Sequence, residues 1–118
     1  MTLTLGMITI DTTDPAPLAA WWSAQTGATV LEENDGWFVV LQLPSGPRLA
    51  FQKVDDPTPG KNRMHLDLGA ASGDLDAEVE RLVDAGATLV AERSMGDGGF
   101  RWVTLADPDS NQFCVAEH

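Results

Sequence analysis

The sequence predicts an α+β fold made of two tandem βαβββ modules, and three observations carry that expectation. Apolar and β-branched runs with strand or helix periodicity follow one another as strand, helix and three strands, and the same order then begins again. Gly27-Ala28-Thr29, directly after the first helical run, returns as Gly86-Ala87-Thr88 after the second. Leu43-Pro44-Ser45 stands in the first half where Asp107-Pro108-Asp109 stands in the second. Repetition of element order together with turn placement points to gene duplication and to pseudo-twofold symmetry.

Each element has a local reason. Residues 3–10 alternate in part and carry Thr and Ile, as a strand does, and Asp14 followed by Pro15 gives an N-cap and a first helical position. From 15 to 25, Leu18, Ala19, Trp21, Trp22 and Ala24 suit a helix that Gly27 ends. Strands are expected at 28–32, at 37–43 after the Asn34-Asp35-Gly36 turn, and at 48–53 after Pro44-Ser45-Gly46-Pro47. Residues 55–62, with two prolines and a glycine, read as a connector. A strand at 63–68 then leads to an amphipathic helix at 74–85, with Leu75, Val79, Leu82 and Val83 on one side and Gly86 after it. Three strands follow, at 88–92, 100–106 and 112–117. A glycine-rich turn separates the first two, and Asp107 to Asn111 has the composition of a hairpin turn. The expected organisation is one domain over 1–118, with module one at about 1–54 and module two at about 63–118.

Composition narrows the function. The chain has 118 residues, 18 acidic against 7 basic side chains and a net charge of −11. That balance repels phosphate backbones and anionic membranes, so neither nucleic acid nor a membrane surface is expected as a partner. No apolar run approaches the roughly 20 residues of a spanning helix. Met1-Thr2-Leu3-Thr4 lacks the features of a signal peptide, so a cytoplasmic location is expected. Cys114 is the single cysteine, which leaves no internal disulfide and makes packing the source of stability.

Met64-His65-Leu66-Asp67-Leu68, the helix end Leu82-Val83-Asp84-Ala85-Gly86-Ala87, and the stretch from Trp102 to Val115 with its Asp107-Pro108-Asp109-Ser110-Asn111 turn carry a resemblance. They resemble the vicinal-oxygen-chelate superfamily, which includes glyoxalase I, bleomycin-resistance proteins and extradiol dioxygenases, and within it the short glyoxalase-like domains. The likeness covers the whole chain. It implies paired modules whose mixed sheet curls around a cleft, with helices outside. In metal-dependent members it further implies four His or Glu ligands, from the first and fourth strand of each module. Carried onto this chain, those positions fall on Met7, Ala50, His65 and Cys114. One imidazole, a thiol, a thioether and a methyl group make a poor site for a hard divalent ion. Neither a catalytic metal nor another cofactor is therefore expected. A two-residue slip would put Gln52 in place of Ala50, and the site would still be weak.

Among the candidates, His65 and Asp67 lie two apart on a strand-like run and should face the cleft together, while Met64, Leu66 and Leu68 face the other way. Such a pair can act as general base or polarise a carbonyl, and the alternative is a relic histidine bonded within the cleft. Cys114 shares that face as a candidate nucleophile or ligand contact, with packing as the default. Trp37 and Trp102 are candidate walls for a flat ligand, whereas Trp21 and Trp22 belong under the sheet. Arg63, like Arg48 and Arg101, stands at a strand start where a guanidinium can clamp an anion. Asp107 to Asn111 is structural, and the glycines at 96, 98 and 99 suggest a mobile loop that gates the cleft.

The expected function is metal-independent binding of a small apolar or aromatic molecule by a homodimer, with His65 and Asp67 as the catalytic candidates. Trp37, Trp102, Gln52, Arg63, Cys114 and Met7 are the expected ligand contacts. A glyoxalase-type lyase or isomerase that uses His65, and an acidic protein-interaction module, are the alternatives.

Overall fold

The computed structural model describes residue 2, residues 5–96 and residues 99–117. The chain forms two compact units, Met1–Pro59 and Gly60–His118. In the first, β1 (Met7–Thr12), α1 (Pro15–Thr26), β2 (Thr29–Glu32), β3 (Phe38–Gln42) and β4 (Arg48–Lys53) form a helix and a sheet ordered β1-β4-β3-β2. The second repeats this with β5 (Asp67–Ala70), α2 (Leu75–Asp84), β6 (Thr88–Ser94), β7 (Arg101–Ala106) and β8 (Gln112–Glu117), ordered β5-β8-β7-β6. In each sheet one pair is parallel, β1 with β4 and β5 with β8, and the other pairs are antiparallel. The fold is thus α+β, with the two βαβββ modules expected from the repeat.

The repeat extends to an irregularity. β2 and β6 each carry a one-residue register shift against their neighbour, around Leu31 in one and Val90 in the other. Both residues lie four positions beyond the repeated glycines, Gly27 and Gly86. A bulge re-aims every side chain after it, and in the second unit that has a consequence for the site.

Local chemistry accounts for the helices. Pro15 opens α1 with its fixed φ, and Gly27 closes it at φ +75°, where its N–H donates to Ser23 O at 2.9 Å. Asp14 holds the N-cap position without a side-chain cap bond, and its own N–H donates to Thr12 Oγ1 at 3.2 Å. Asp74 does cap α2, accepting from Ala77 N at 3.1 Å. Leu18, Ala19 and Trp22 are buried where α1 packs on β3 and β4, whose Val39, Leu41, Leu49 and Phe51 alternate onto the helix side. In the second unit Leu75 and Leu82 of α2 are buried, as are Val103, Leu105, Phe113 and Val115.

Several strand boundaries differ from the sequence expectation, β2, β3 and β7 by one residue at one or both ends and β6 by running two residues further to Ser94. The two largest differences are at β1 and β5. β1 runs over 7–12 instead of 3–10, with residues 3 and 4 outside the described part of the chain. β5 begins at Asp67 instead of 63, because the side chain of Asn62 takes the place of a strand partner at the start of β8. Its Oδ1 accepts from Gln112 N at 2.8 Å, and its Nδ2 donates to Gln112 O at 3.0 Å and to Met64 O at 2.6 Å. Residues 63–66 follow outside the ladder until Leu66 O accepts from Cys114 N at 2.8 Å. His65 therefore stands on a tethered loop, one residue away from the strand.

Candidate functional site

The face of the second sheet opposite α2 is set by pairing. Asp67 on β5 lies beside Cys114 on β8, Cys114 beside Thr104 on β7, and Ala116 beside Trp102. Because side chains alternate along each strand, these groups share one face while Val103, Leu105, Phe113 and Val115 fill the other. On that face is an open groove of about 440 Å³, lined by His65, Asp67, Leu68, Met95, Phe100, Trp102, Cys114 and Ala116. A groove of this size fits a small organic molecule.

Its apolar part is built by β7 and the turn before it. Phe100 stacks on Trp102 with ring centroids 6.0 Å apart and planes 28° from parallel. Met95 N donates to Phe100 O at 2.9 Å, which closes the turn and brings both side chains to the groove wall. Gly99 is required there, since a Cβ would come within 1.9 Å of the Met95 carbonyl oxygen. Gly98, expected in a gating loop, lies outside the described residues. Phe100 is 50% exposed and Met95 68%.

The polar end is the junction of β5 and β8. His65 Nε2 is 3.2 Å from Asp67 Oδ1, and both side chains are well exposed. A donor atom from each of His65, Asp67 and Cys114 lies within 4.8 Å of the others. Thr104 Oγ1 is 3.4 Å from Cys114 Sγ, and on its other side accepts from Arg93 Nε at 3.1 Å. A histidine next to a carboxylate can accept a proton or hydrogen-bond a carbonyl.

Of the residues the sequence singled out, His65, Asp67, Trp102 and Cys114 come together in this groove. Arg63 is exposed in a bend before β5 and is not part of the lining. Met7, Gln52 and Trp37 belong to the first unit. Met7 is half-buried in register with Arg48, Gln52 is exposed in register with Phe38, and Trp37 is 61% exposed with Lys53 Nζ 4.7 Å from its ring centroid. Arg101, weighed as an anion clamp, is engaged by Asp76 at 2.9 Å, and that hydrogen bond raises its pKa above the ordinary value. Sequence reasoning missed Phe100 and Met95 of the lining, and Thr104 and Arg93, which stand beside the groove on the same sheet face. Phe100 had a visible signal, since it stands two residues before Trp102 and so shares its face.

The four positions that the resemblance assigns to metal ligands are not a metal set in this chain. Ala50 is buried on β4 and has no donor atom, and Met7 offers only a thioether. The His65, Asp67 and Cys114 donors form a mixed nitrogen, oxygen and sulfur group, which suits a borderline ion such as zinc better than a hard one. The His/Glu centre of the metal-dependent members therefore does not fit, and no chemical step is assigned to it.

This architecture of paired βαβββ modules is that of the vicinal-oxygen-chelate superfamily. The chain belongs to the glyoxalase-like domain family, whose model matches residues 7–116. It is similar to a glyoxalase/bleomycin resistance protein/dioxygenase family enzyme from Burkholderia phytofirmans, with 20% identity, a TM-score of 0.81 and coverage of 97% of this chain and 98% of the other. The fosfomycin resistance protein FosX of Listeria monocytogenes, solved with Mn(II) and 1S,2S-dihydroxypropylphosphonic acid, matches at 16% identity and TM-score 0.79, over 98% and 90% of the two chains. Lactoylglutathione lyase from Agrobacterium tumefaciens matches at 15% identity and TM-score 0.73, over 99% and 95%. No curated protein sequence matches. At these identities the solved structures establish the fold and not the activity.

Proposed function

We propose that the protein binds a small aromatic or apolar molecule in the groove of its second unit without a metal ion, and that its work is binding and not turnover. The observation that carries this is the stacked Phe100–Trp102 pair, left half-open to solvent beside Met95, Leu68 and Ala116 in a groove of about 440 Å³. Desolvating such a surface is favourable in proportion to the apolar area covered, at about 25 cal/mol per Å². A flat ring laid against Trp102 gains stacking contact as well. The His65–Asp67 pair at the groove's end supplies a hydrogen-bonding terminus that orients the molecule. Location in the cytoplasm and a homodimeric state complete this reading, as the sequence leads one to expect.

The test is a titration with N-phenylnaphthylamine, a neutral aromatic probe whose emission rises in apolar surroundings, in buffer containing EDTA. Saturable binding of about one probe per chain, unchanged by EDTA, is expected. Absence of saturable binding would reject the reading, and binding that appears only after zinc or manganese is added would reject its metal independence.

A further inference from the structure

Arg93 stands on the groove face only because of the bulge. Leu89 pairs with Leu105 on the helix side, and regular alternation would send 91 and 93 the same way. The extra residue at Val90 instead sets Ala91 beside Thr104 and Arg93 beside Trp102, both on the groove side. The guanidinium is then fixed by one bond, Nε to Oγ1 of the buried Thr104 at 3.1 Å. Among the described residues only Nε of this guanidinium makes a hydrogen bond. Among the described residues no carboxylate pairs with Arg93, whereas Arg81 and Arg101 are taken by Glu78 and Asp76. An arginine held at Nε with a free fork is arranged to receive a bidentate oxyanion.

The groove is consequently polarised across the sheet. In the order β5-β8-β7-β6, Asp67 and His65 stand at one edge of this sheet face and Arg93, beside Trp102 and just outside the groove lining, at the other, with Cys114, Ala116, Thr104 and Trp102 between. The two edge strands are three strand spacings apart, but Arg93 leans inward. Its Nε is 3.1 Å from Thr104 Oγ1, which is 3.4 Å from Cys114 Sγ, itself within 4.8 Å of an Asp67 oxygen. The span between cation and carboxylate is therefore shorter and suits a single ring lying over Trp102 and Phe100. An anionic group is attracted to the β6 edge and repelled from Asp67, so a charged ligand has one favoured orientation. We infer that the molecule bound here is an aromatic acid, its carboxylate or similar oxyanion held by the Arg93 guanidinium and its ring against Trp102 and Phe100. This rests on the binding reading above and adds the ligand's charge to it.

The experiment compares N-phenylnaphthylamine with anilinonaphthalene sulfonate, which has a closely related aromatic body and carries an anionic group. At low salt the sulfonate is expected to bind about tenfold more tightly, equivalent to about 1.4 kcal/mol, despite the net charge of −11. Arg93→Gln should bring the two probes within twofold of each other and leave the neutral probe's affinity as it was. Lys61→Gln, the same charge change at an exposed connector residue, should keep the preference. Added salt should weaken the sulfonate and not the neutral probe. Equal binding of the two probes by the unaltered protein, or a preference that survives Arg93→Gln or is lost in Lys61→Gln, overturns the inference while the binding reading stands. Failure of both probes to bind overturns the binding reading itself.

Discussion

Trp102→Ala is expected to raise the dissociation constant for N-phenylnaphthylamine about 30-fold. Trp102 is the largest ring in the groove and has Phe100 stacked on it at 6.0 Å. Removing the indole takes away both the floor under the ligand and the surface that keeps Phe100 in place. Loss of a stacking surface of that size is of order 2 kcal/mol, and each 1.4 kcal/mol is about tenfold in affinity. Trp102→Phe retains a ring and should lose less than about fivefold. Since Trp102 is partly exposed and on the face opposite α2, neither variant should lower the melting temperature by more than a few degrees. An alanine variant that binds within threefold of the unaltered protein would place the ligand somewhere other than this groove.

The second large effect is on folding. Asp107 is 3% exposed and holds the β7–β8 turn together. Its Oδ1 accepts from Asp109 N and Asn111 N, both at 2.9 Å, and its Oδ2 accepts from Asn111 Nδ2 at 3.0 Å. The backbone repeats the clasp, with Asp107 N donating to Asn111 O at 2.9 Å and Ser110 N to Asp107 O at 2.8 Å. Asp107→Ala leaves two backbone N–H groups without their acceptor, and hydrogen bonds to a charged group contribute about 1.5–3 kcal/mol each. A loss of about 3 kcal/mol is expected, which in a domain of this size lowers the melting temperature by roughly 10 °C. Asp107→Asn keeps an acceptor oxygen and should lose less than half as much. Thermal denaturation of the three proteins decides it, and an alanine variant melting within 1 °C of the unaltered protein would mean that the clasp does not stabilise the turn.

That turn was legible in the sequence for a physical reason. Asp-Pro-Asp followed by Asn is turn chemistry wherever it occurs, because short side-chain acceptors satisfy the backbone donors of a reversal locally. The same holds for Pro15 and Gly27 at the ends of α1 and for Asp74 at the start of α2, and so the element order could be read throughout. The boundary of β5 could not be, since it depends on Asn62 bonding to Gln112, 50 residues away. The sequence paired His65 with Asp67 by reading 63–68 as one alternating strand, which the structure replaces with a loop up to Leu66. Cys114 came from the resemblance and Trp102 from the high tryptophan usage, and the four nonetheless lie together in the groove. Arg93 was missed because β6 is two residues longer than expected and because the bulge at Val90 inverts the alternation that places it. A bulge leaves no clear mark in one strand read alone, although the repeat places its counterpart at Leu31.

The most direct test of binding in the groove is to follow the tryptophan indole N–H resonances by NMR during a titration with N-phenylnaphthylamine in EDTA. The chain has four tryptophans. Trp102 lines the groove, Trp22 is 1% exposed beneath the first sheet, Trp21 meets it edge to face at 5.0 Å, and Trp37 is exposed under Lys53. The expected result is a saturable shift of the Trp102 signal with the Trp22 signal unmoved. Saturation of the probe with the Trp102 signal stationary, or with the Trp37 signal moving in its place, would contradict it.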